Sequence, residues 1–412
     1  MATRKQALKA VGAEGHNPSW QDDALGFLIQ PVGREDFLAN FYEQKELLNL
    51  RDGTPRYADL LTLESLDQFI SGADLREGML DLSNKHNRIT RDAYIDDDGK
   101  VIQVAVTEEY LKGATIVLPH LHSSMYNLGE FCRSLEEVFT CHIQTNIYLT
   151  PPSREEGKVN QGFPPHYDNH DVFVMQIAGQ KTWRLYGTPV ATPFRGEGFE
   201  VATHPAGDPS HTFEMNPGDC IYLPRGLMHD AQSLGDEPSL HITVGLITKT
   251  WADLLLEAIS ELAISEPGFR RSLPAGYADR NFDREAAAQY FDELINTISD
   301  KAQMDSAFDM MADNFVRARQ PNVSGVILAS RTAPKPDDRY RRRRYAPWNV
   351  ADDEGKLVLI GPGGDLDFTA EEGDALERAL SGAPFVAADL KCEKPDDLLQ
   401  RLWAGGYLEK LS

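Results

Sequence analysis

The sequence predicts an α+β chain organised around an antiparallel β-sandwich or barrel, and three observations predict it. Between residues 143 and 247 apolar residues recur with a period of two, in short runs broken by Pro and Gly turns, the pattern of many short antiparallel strands. On either side, at 126–140 and through 250–319, the period becomes that of a helix. After a Pro- and charge-rich stretch at 331–349, residues 350–412 mix short strands with two helices.

A chain of 412 residues is too long for one ordinary core and implies two or three domains. Hydrophobic residues at 41% and charged residues at 25% are ordinary for a globular protein. No window approaches the roughly 18 uninterrupted apolar residues of a membrane span, so no membrane partner is expected. The opening "MATRKQALKAVGAEGHN" has two early basic residues but no apolar run behind them, so it does not read as a signal peptide. Cys132, Cys141, Cys220 and Cys392 lack CxxC spacing, which argues against a zinc knuckle or disulfide framework and for a reducing cytoplasm. A net charge of −23 repels nucleic acid and favours a partner of basic character.

The first 110 or so residues place "ALGFLI", "FLANFYEQKELLNL" and "VIQVAV" between turn signals such as Asp52-Gly53 and "DDDG" at 96–99, a mixture of helix and strand leading into a sheet. In "YNLGEFCRSLEEVFT", Leu128, Phe131, Leu135, Val138 and Phe139 fall at near-helical spacing and predict one amphipathic helix. The strands follow in "IQTNIYLTPP", "DVFVMQIAG", "KTWRLYG", "HTFEMNPGD", "CIYLPRG" and "SLHITVGLI". "NPGD" at 216–219 suits a type II turn, with Pro217 presetting one central dihedral and Gly218 tolerating the positive one. The helical stretches at 250–319 carry apolar stripes that pack on one another or on a second copy of the chain. "RTAPKPDDRYRRRRYAPWN" reads as a basic linker, and "KLVLIG", "TAEEGDALERAL", "PDDLLQRLWAGG" and "YLEKL" as a winged-helix-like end. The expected domains are therefore 1–249, 250–330, a linker at 331–349, and 350–412.

The chemistry concentrates in "GFPPHYDNHDVFVMQIAGQKTWRLYG", residues 162–187. On extended backbone His166 and Asp168 point to one side and can reach one ion together, while Tyr167 faces away. A His-x-Asp triplet arises by chance about once in a chain of this size, and a polar turn is the bland alternative. A third ligand, His229, follows the Pro224-Arg225-Gly226 turn in "YLPRGLMHD". Two histidines and one carboxylate leave coordination sites open, the arrangement of non-haem Fe(II) oxygenases, whereas structural zinc wants four closed ligands. Alternation puts Lys181, Trp183 and Leu185 on one strand face. If that face is interior, the ammonium needs an anion, and a dicarboxylate such as 2-oxoglutarate supplies one while its oxo-acid end chelates iron; otherwise Lys181 is an exposed hairpin lysine. Asn146 and Tyr148 share a face on one strand, and His241, Thr243 and Gly245 share a face on another. Such polar faces are either wet or line a pocket.

"NIYLTPP", the 162–186 segment, "NPGDCIYLPRGLMH", "LHITVG" and "TWADLL", in this order, resemble the JmjC-type ribosomal oxygenases, which include nucleolar histidyl hydroxylases and a bacterial ribosomal-protein arginyl hydroxylase. The similarity is specific from about 143 to 256; the helical middle and the C-terminal end match in layout, and the first hundred residues match poorly. The resemblance implies a double-stranded β-helix of jelly-roll or cupin type with a helical dimerisation region and a winged-helix-like C-terminal domain. It assigns His166, Asp168 and His229 to iron, and Lys181 to the far carboxylate of 2-oxoglutarate. It further assigns Thr243 to the cosubstrate pocket, and Asn146 and Tyr148 to the target side chain. His241 is the runner-up third ligand but matches a pocket-wall or structural histidine; His170, His204 and His211 read as surface residues. Two features depart from the family: Gly245 stands where the histidyl hydroxylases have a serine that helps hold the target imidazole, and "SREEGKVN" lengthens the loop before Gly162. Both weaken the case for a histidine target.

The function implied is an Fe(II)-, 2-oxoglutarate- and O2-dependent dioxygenase that hydroxylates a residue of a protein or peptide, first of all a ribosomal protein. The alternatives are a tailoring hydroxylase of a biosynthetic peptide, an N-methyl demethylase and a non-catalytic metal-binding cupin. A homodimer is implied by the family. Arg341, Arg342, Arg343 and Arg344, with Tyr340, Tyr345 and Trp348 nearby, offer a contact to RNA, against the alternative of a solvated linker or one paired with the chain's own acidic surface.

Overall fold

The period-two segments fold into two facing sheets. In chain order the elements are α1 (Ala24–Ile29), α2 (Arg34–Asn40), β1 (Leu47–Asn49), α3 (Leu63–Gly72), β2 (Asp81–Ser83), α4 (Gln103–Leu111), β3 (Thr115–Pro119), α5 (Tyr126–Phe139), β4 (His142–Thr150), β5 (Asp171–Ala178), β6 (Gln180–Leu185), β7 (His211–Met215), β8 (Cys220–Leu223), β9 (His229–Leu234) and β10 (Ser239–Ile247). The computed structural model describes residues 19–411 apart from 52, 154–158, 201–202, 330, 332–334 and 336. The opening segment and most of the inserted "SREEGKVN" thus lie outside the described residues. The chain divides into two units at Thr248 and Lys249.

In the first unit a seven-stranded sheet runs β1-β8-β5-β10-β4-β3-β2, and a three-stranded sheet runs β7-β6-β9, with every pairing antiparallel. Alternation decides which side chains go where. On β5, Phe173 and Met175 join Leu240, Ile242, Val244 and Leu246 of β10 in the core shared with the helices. Val172 and Val174 join Trp183, Leu185, Phe213 and Met215 in the interior between the two sheets. His241, Thr243 and Gly245 therefore face that second interior, opposite the apolar residues of their own strand.

The local signals are clear. Asp23 caps α1 by accepting from the Gly26 amide, and Thr62 and Ser65 form a capping box on α3. α5 buries Leu128, Phe131 and Leu135 on one stripe. At the Asn216–Asp219 turn, the Asp219 amide donates to Asn216 O at 3.0 Å. Gly218 there has φ +92°, and a Cβ would lie 2.2 Å from Thr54 O, so conformation and space both demand glycine.

The second unit holds α6 (Trp251–Ser265), α7 (Glu285–Lys301), α8 (Met304–Arg317), α9 (Val326–Ala329), β11 (Arg339–Arg342), β12 (Asn349–Asp353), β13 (Lys356–Ile360), β14 (Leu366–Thr369), α10 (Gly373–Leu380), β15 (Phe385–Val386), α11 (Pro395–Ala404) and β16 (Leu408–Leu411). The expectation of a basic linker at 331–349 is corrected, because β11 is the middle strand of the sheet β15-β11-β16. Tyr340 anchors it, buried against Phe385 and Trp403. Arg341 pairs with Glu409 at 2.5 Å, and Arg343 donates to the carbonyls of Gly406, Leu408 and Ser324. Composition reads as a linker because it cannot show that the guanidinium groups of Arg341 and Arg343 are engaged within the domain.

Phe173 packs against the rings of Phe37 and Tyr222 at 5.6 and 5.1 Å and is 1% exposed. Phe173→Ala should lower the stability of the first unit by about 3–5 kcal/mol, read as a drop in the urea midpoint at unchanged m-value.

Candidate metal centre

His166 and His229 exchange backbone hydrogen bonds as an isolated antiparallel bridge, at 3.0 Å and 2.7 Å. The Gly226 amide donates to Asp168 O at 2.9 Å, tying the turn before β9 to the carboxylate-bearing segment. That turn needs glycine: Gly226 has φ +85°, and a Cβ would lie 2.1 Å from Val190 O. The loop is fastened to β9 by two further links. Asn160 and Ser233 bond reciprocally, and Gln161 donates to Asp230 Oδ2 at 2.9 Å, where Arg184 holds the same carboxylate.

Both histidines point their ring edges in a defined way. His166 Nδ1 lies 2.9 Å from Pro164 O, and His229 Nδ1 lies 3.0 Å from Leu227 O. A carbonyl only accepts, so each Nδ1 carries the proton and each Nε2 offers a lone pair. Asp168 Oδ2 sits 3.8 Å from His229 Nε2, and the three ligand atoms lie within 4.8 Å of one another. Burial, and next the His166 ring, lowers the His229 pKa to about 4, so it is the neutral ligand form at neutral pH. Two imidazoles and one carboxylate suit a divalent ion such as Fe(II), with coordination positions left on the open side.

The triad opens into a cavity whose lining includes Tyr148, Val172, Val174, Lys181, Trp183, His241 and Thr243. Lys181 is 5% exposed, donates to Thr150 Oγ1 at 3.2 Å, and meets no carboxylate within ion-pair distance among the described residues. Burial pushes its ammonium down to about 7. Thr150 is in turn 2.9 Å from the Thr115 hydroxyl. His241 stacks on Tyr148 at 4.7 Å and 7°. Burial, with Lys181 adding to it, holds that imidazole well below its ordinary pKa. Burial likewise pushes the Tyr148 hydroxyl upward.

The structure thus brings His166, Asp168 and His229 together and sets Lys181, Thr243 and Tyr148 in the same cavity. His241 is on the wall, outside the ligand cluster. Asn146 pairs with Thr243 across β4 and β10, and Gly245 pairs with Gln144; neither Asn146 nor Gly245 lines the cavity itself. Thr115, Thr150 and Phe163 were missed, since the first two gain meaning only once Lys181 is seen to be buried. His170, expected at the surface, instead packs against Gly245, where a Cβ would lie 3.0 Å from its Nε2. His204 stacks with Phe199, and His211 is half-exposed on β7; neither joins the cluster.

The family model described as the JmjC domain matches residues 121–254. The bifunctional lysine-specific demethylase and histidyl-hydroxylase NO66 of Dictyostelium discoideum is 29% identical over 94% of this chain and 82% of its own length. Residues 121–254 thus match the JmjC domain, and the chain is similar to histidyl-hydroxylases and ribosomal oxygenases that carry it. Ribosomal oxygenase 1 of Homo sapiens is 28% identical over 90% of this chain and 64% of that protein. The chain spans about half, 52%, of the Aedes aegypti NO66. Among solved structures, YcfD, a ribosomal oxygenase from Escherichia coli, superposes with a TM-score of 0.52 at 15% identity, covering 93% of this chain and 99% of that one, and so shares the fold. The JmjC match contains both triad segments and β10.

Between pH about 7 and 10.5 the folded state binds fewer protons than the unfolded state at Lys181, so stability without ligand should rise with pH across that window. Lys181→Met keeps the stem and removes the charge. It should stabilise the ligand-free protein most below pH about 7 and least toward 10.5. Urea midpoints across the range check this, and an equal shift at every pH would rule out the charge as the cause.

Proposed function

We propose that this chain is an Fe(II)- and 2-oxoglutarate-dependent dioxygenase that hydroxylates an amino-acid residue of a protein or peptide, a ribosomal protein first of all. One observation supports it above the others: Lys181, a buried ammonium without an anion among the described residues, shares a cavity with a two-histidine, one-carboxylate cluster. The names of the relatives, histidyl-hydroxylase and ribosomal oxygenase, agree with that chemistry.

His166, Asp168 and His229 would hold the iron. Bound iron(II), with 2-oxoglutarate and O2, supplies an oxidant able to hydroxylate a C–H bond, and the cosubstrate leaves as succinate and CO2. The residues do the positioning. The Nδ1 hydrogen bonds to Pro164 O and Leu227 O fix both imidazole planes before anything binds. Lys181 pairs with the far carboxylate of the cosubstrate, and its bond to Thr150 aims the ammonium. Thr243 adds a hydroxyl to the same wall. Val172, Val174 and Trp183 exclude water, which protects the oxidant from unproductive reaction. Tyr148 faces the target side chain from the cavity wall, with Asn146 behind it on the same strand face, opposite Thr243.

We assign residues 1–249 to catalysis, 250–330 to dimerisation and 350–412, with β11, to the C-terminal winged-helix-like domain. Trp251, Leu255, Leu256, Ile264, Phe291 and Phe308 are exposed on α6, α7 and α8, which favours a homodimer. The net charge of −23 favours a basic substrate. No described helix is long and apolar enough to cross a membrane, and the free cysteines accord with a cytoplasmic location. Arg341 and Arg343 are engaged within their own domain, which disfavours a nucleic-acid partner.

Anaerobic addition of Fe(II) and 2-oxoglutarate should give a weak visible charge-transfer band, lost in His166→Ala; a band that persists in the variant would refute the site. Total ribosomal protein from a strain lacking this chain should become heavier by one oxygen on turnover. Formaldehyde release without that gain would indicate demethylation instead. Above pH about 7, cosubstrate binding should take up a proton at Lys181. Calorimetry in buffers of different ionisation enthalpy should detect the uptake in wild type and not in Lys181→Met.

A further inference from the structure

We propose that Gln161 is a positioning residue for the metal centre: the two protons of its side-chain amide tie the loop that carries His166 to the strand that carries His229. This rests on the reading of His166, Asp168 and His229 as metal ligands. Gln161 is 4% exposed and precedes His166 in the same loop. Its Nε2 donates to Phe163 O at 2.8 Å and to Asp230 Oδ2 at 2.9 Å. Its Oε1 accepts from Lys85 Nζ at 3.1 Å. An ammonium only donates and a carbonyl only accepts, so the amide has one orientation here and both of its protons are used.

Each of those two bonds reaches one half of the centre. On the His166 side, Phe163 is followed by Pro164 and Pro165, whose rings fix φ. Pro164 O is the atom that meets His166 Nδ1, so holding Phe163 O anchors a stiff segment that ends at a ligand ring. On the His229 side, Asp230 is the next residue of β9 and is buried. Arg184 of β6 binds both of its oxygens, at 2.8 and 2.9 Å, so the carboxylate is itself a fixed point. Successive strand residues face opposite ways: His229 and Ala231 line the cavity, and Asp230 turns from it to Gln161. Gln161 is likewise outside the cavity lining, so it acts on the ligands and not on anything the cavity would hold.

Other contacts hold the loop in place without the amide. Lys85 N donates to Gln161 O at 2.9 Å, Ser83 Oγ donates to Gly162 O at 2.7 Å, and Asn160 pairs with Ser233. The loop thus runs between β2, at one edge of the seven-stranded sheet, and β9, at one edge of the three-stranded sheet. Loss of the amide bonds leaves the loop attached but releases the 163–166 segment against β9. The consequence falls on ligand geometry before it falls on the fold.

The test measures Co(II) binding to the full chain, by titration and by the visible d–d absorption of the bound ion, with no turnover involved. Gln161→Met keeps the length of the side chain and removes both donors. We expect its Co(II) dissociation constant to rise about tenfold or more, with a changed d–d spectrum that reports altered ligand geometry. Gln161→Glu keeps the contact to Lys85 but lacks the donors; it should show the same loss, and it carries the test if Gln161→Met does not fold. Lys85→Met removes only the bond to Oε1 and should change the constant less than about threefold. Leu128→Ala, which opens a cavity beneath α5, lowers stability without touching the bonds of the loop and should leave constant and spectrum unchanged. Wild-type affinity and spectrum in the Gln161 variants would overturn the proposal. So would an equal loss in Leu128→Ala, because the effect would then follow stability alone. If wild type itself binds no Co(II), the metal-centre reading fails first, and this proposal fails with it.

Discussion

The reciprocal backbone bridge between His166 and His229 is the constraint on which the centre depends. Neither residue is fixed by its own segment: His166 belongs to a loop, and His229 opens β9 just after a turn. Two hydrogen bonds of 3.0 and 2.7 Å set the distance between them, and the Gly226 amide on Asp168 O sets the third ligand against the same turn. The ligand atoms gather within 4.8 Å because backbone pairing has already placed their Cα atoms. Ligands placed by backbone pairing are the preorganisation a reactive centre benefits from.

Electrostatics around the bridge run in one direction. Lys181 is stripped of solvent and given a single threonine hydroxyl, while His229 and His241 are held uncharged by burial. A cavity that leaves an ammonium short of partners and keeps the neighbouring imidazole neutral favours the entry of an anion at that end. This bias is local. The chain as a whole carries a net charge of −23, so the field at long range favours a basic partner while the cavity wall favours a carboxylate.

Much of this was legible in the sequence for a simple reason: period two and the His-x-Asp spacing are local. Alternation put Lys181, Trp183 and Leu185 on one face, and β6 buries all three. The features that escaped are non-local or compensated. Thr150 matters because a lysine on another strand reaches it, and Gly245 matters because a histidine outside its strand covers it. The run Arg341 to Arg344 misleads by composition, since four positive charges in a row announce solvent until Glu409 is seen to meet Arg341 and the carbonyls of 406 and 408 to meet Arg343.

The cavity wall and the strand beyond it differ in how freely they can change. At the Lys181 end, the ammonium donates to Thr150, whose hydroxyl meets that of Thr115, so altering either member of the Lys181–Thr150 pair leaves a buried charge or hydroxyl short of a partner. Further along β10, outside the cavity lining, one side chain from the loop before β5, His170, packs over Gly245. Replacing His170 removes a group that already lacks a partner, and adding a side chain at 245 requires only that the imidazole move.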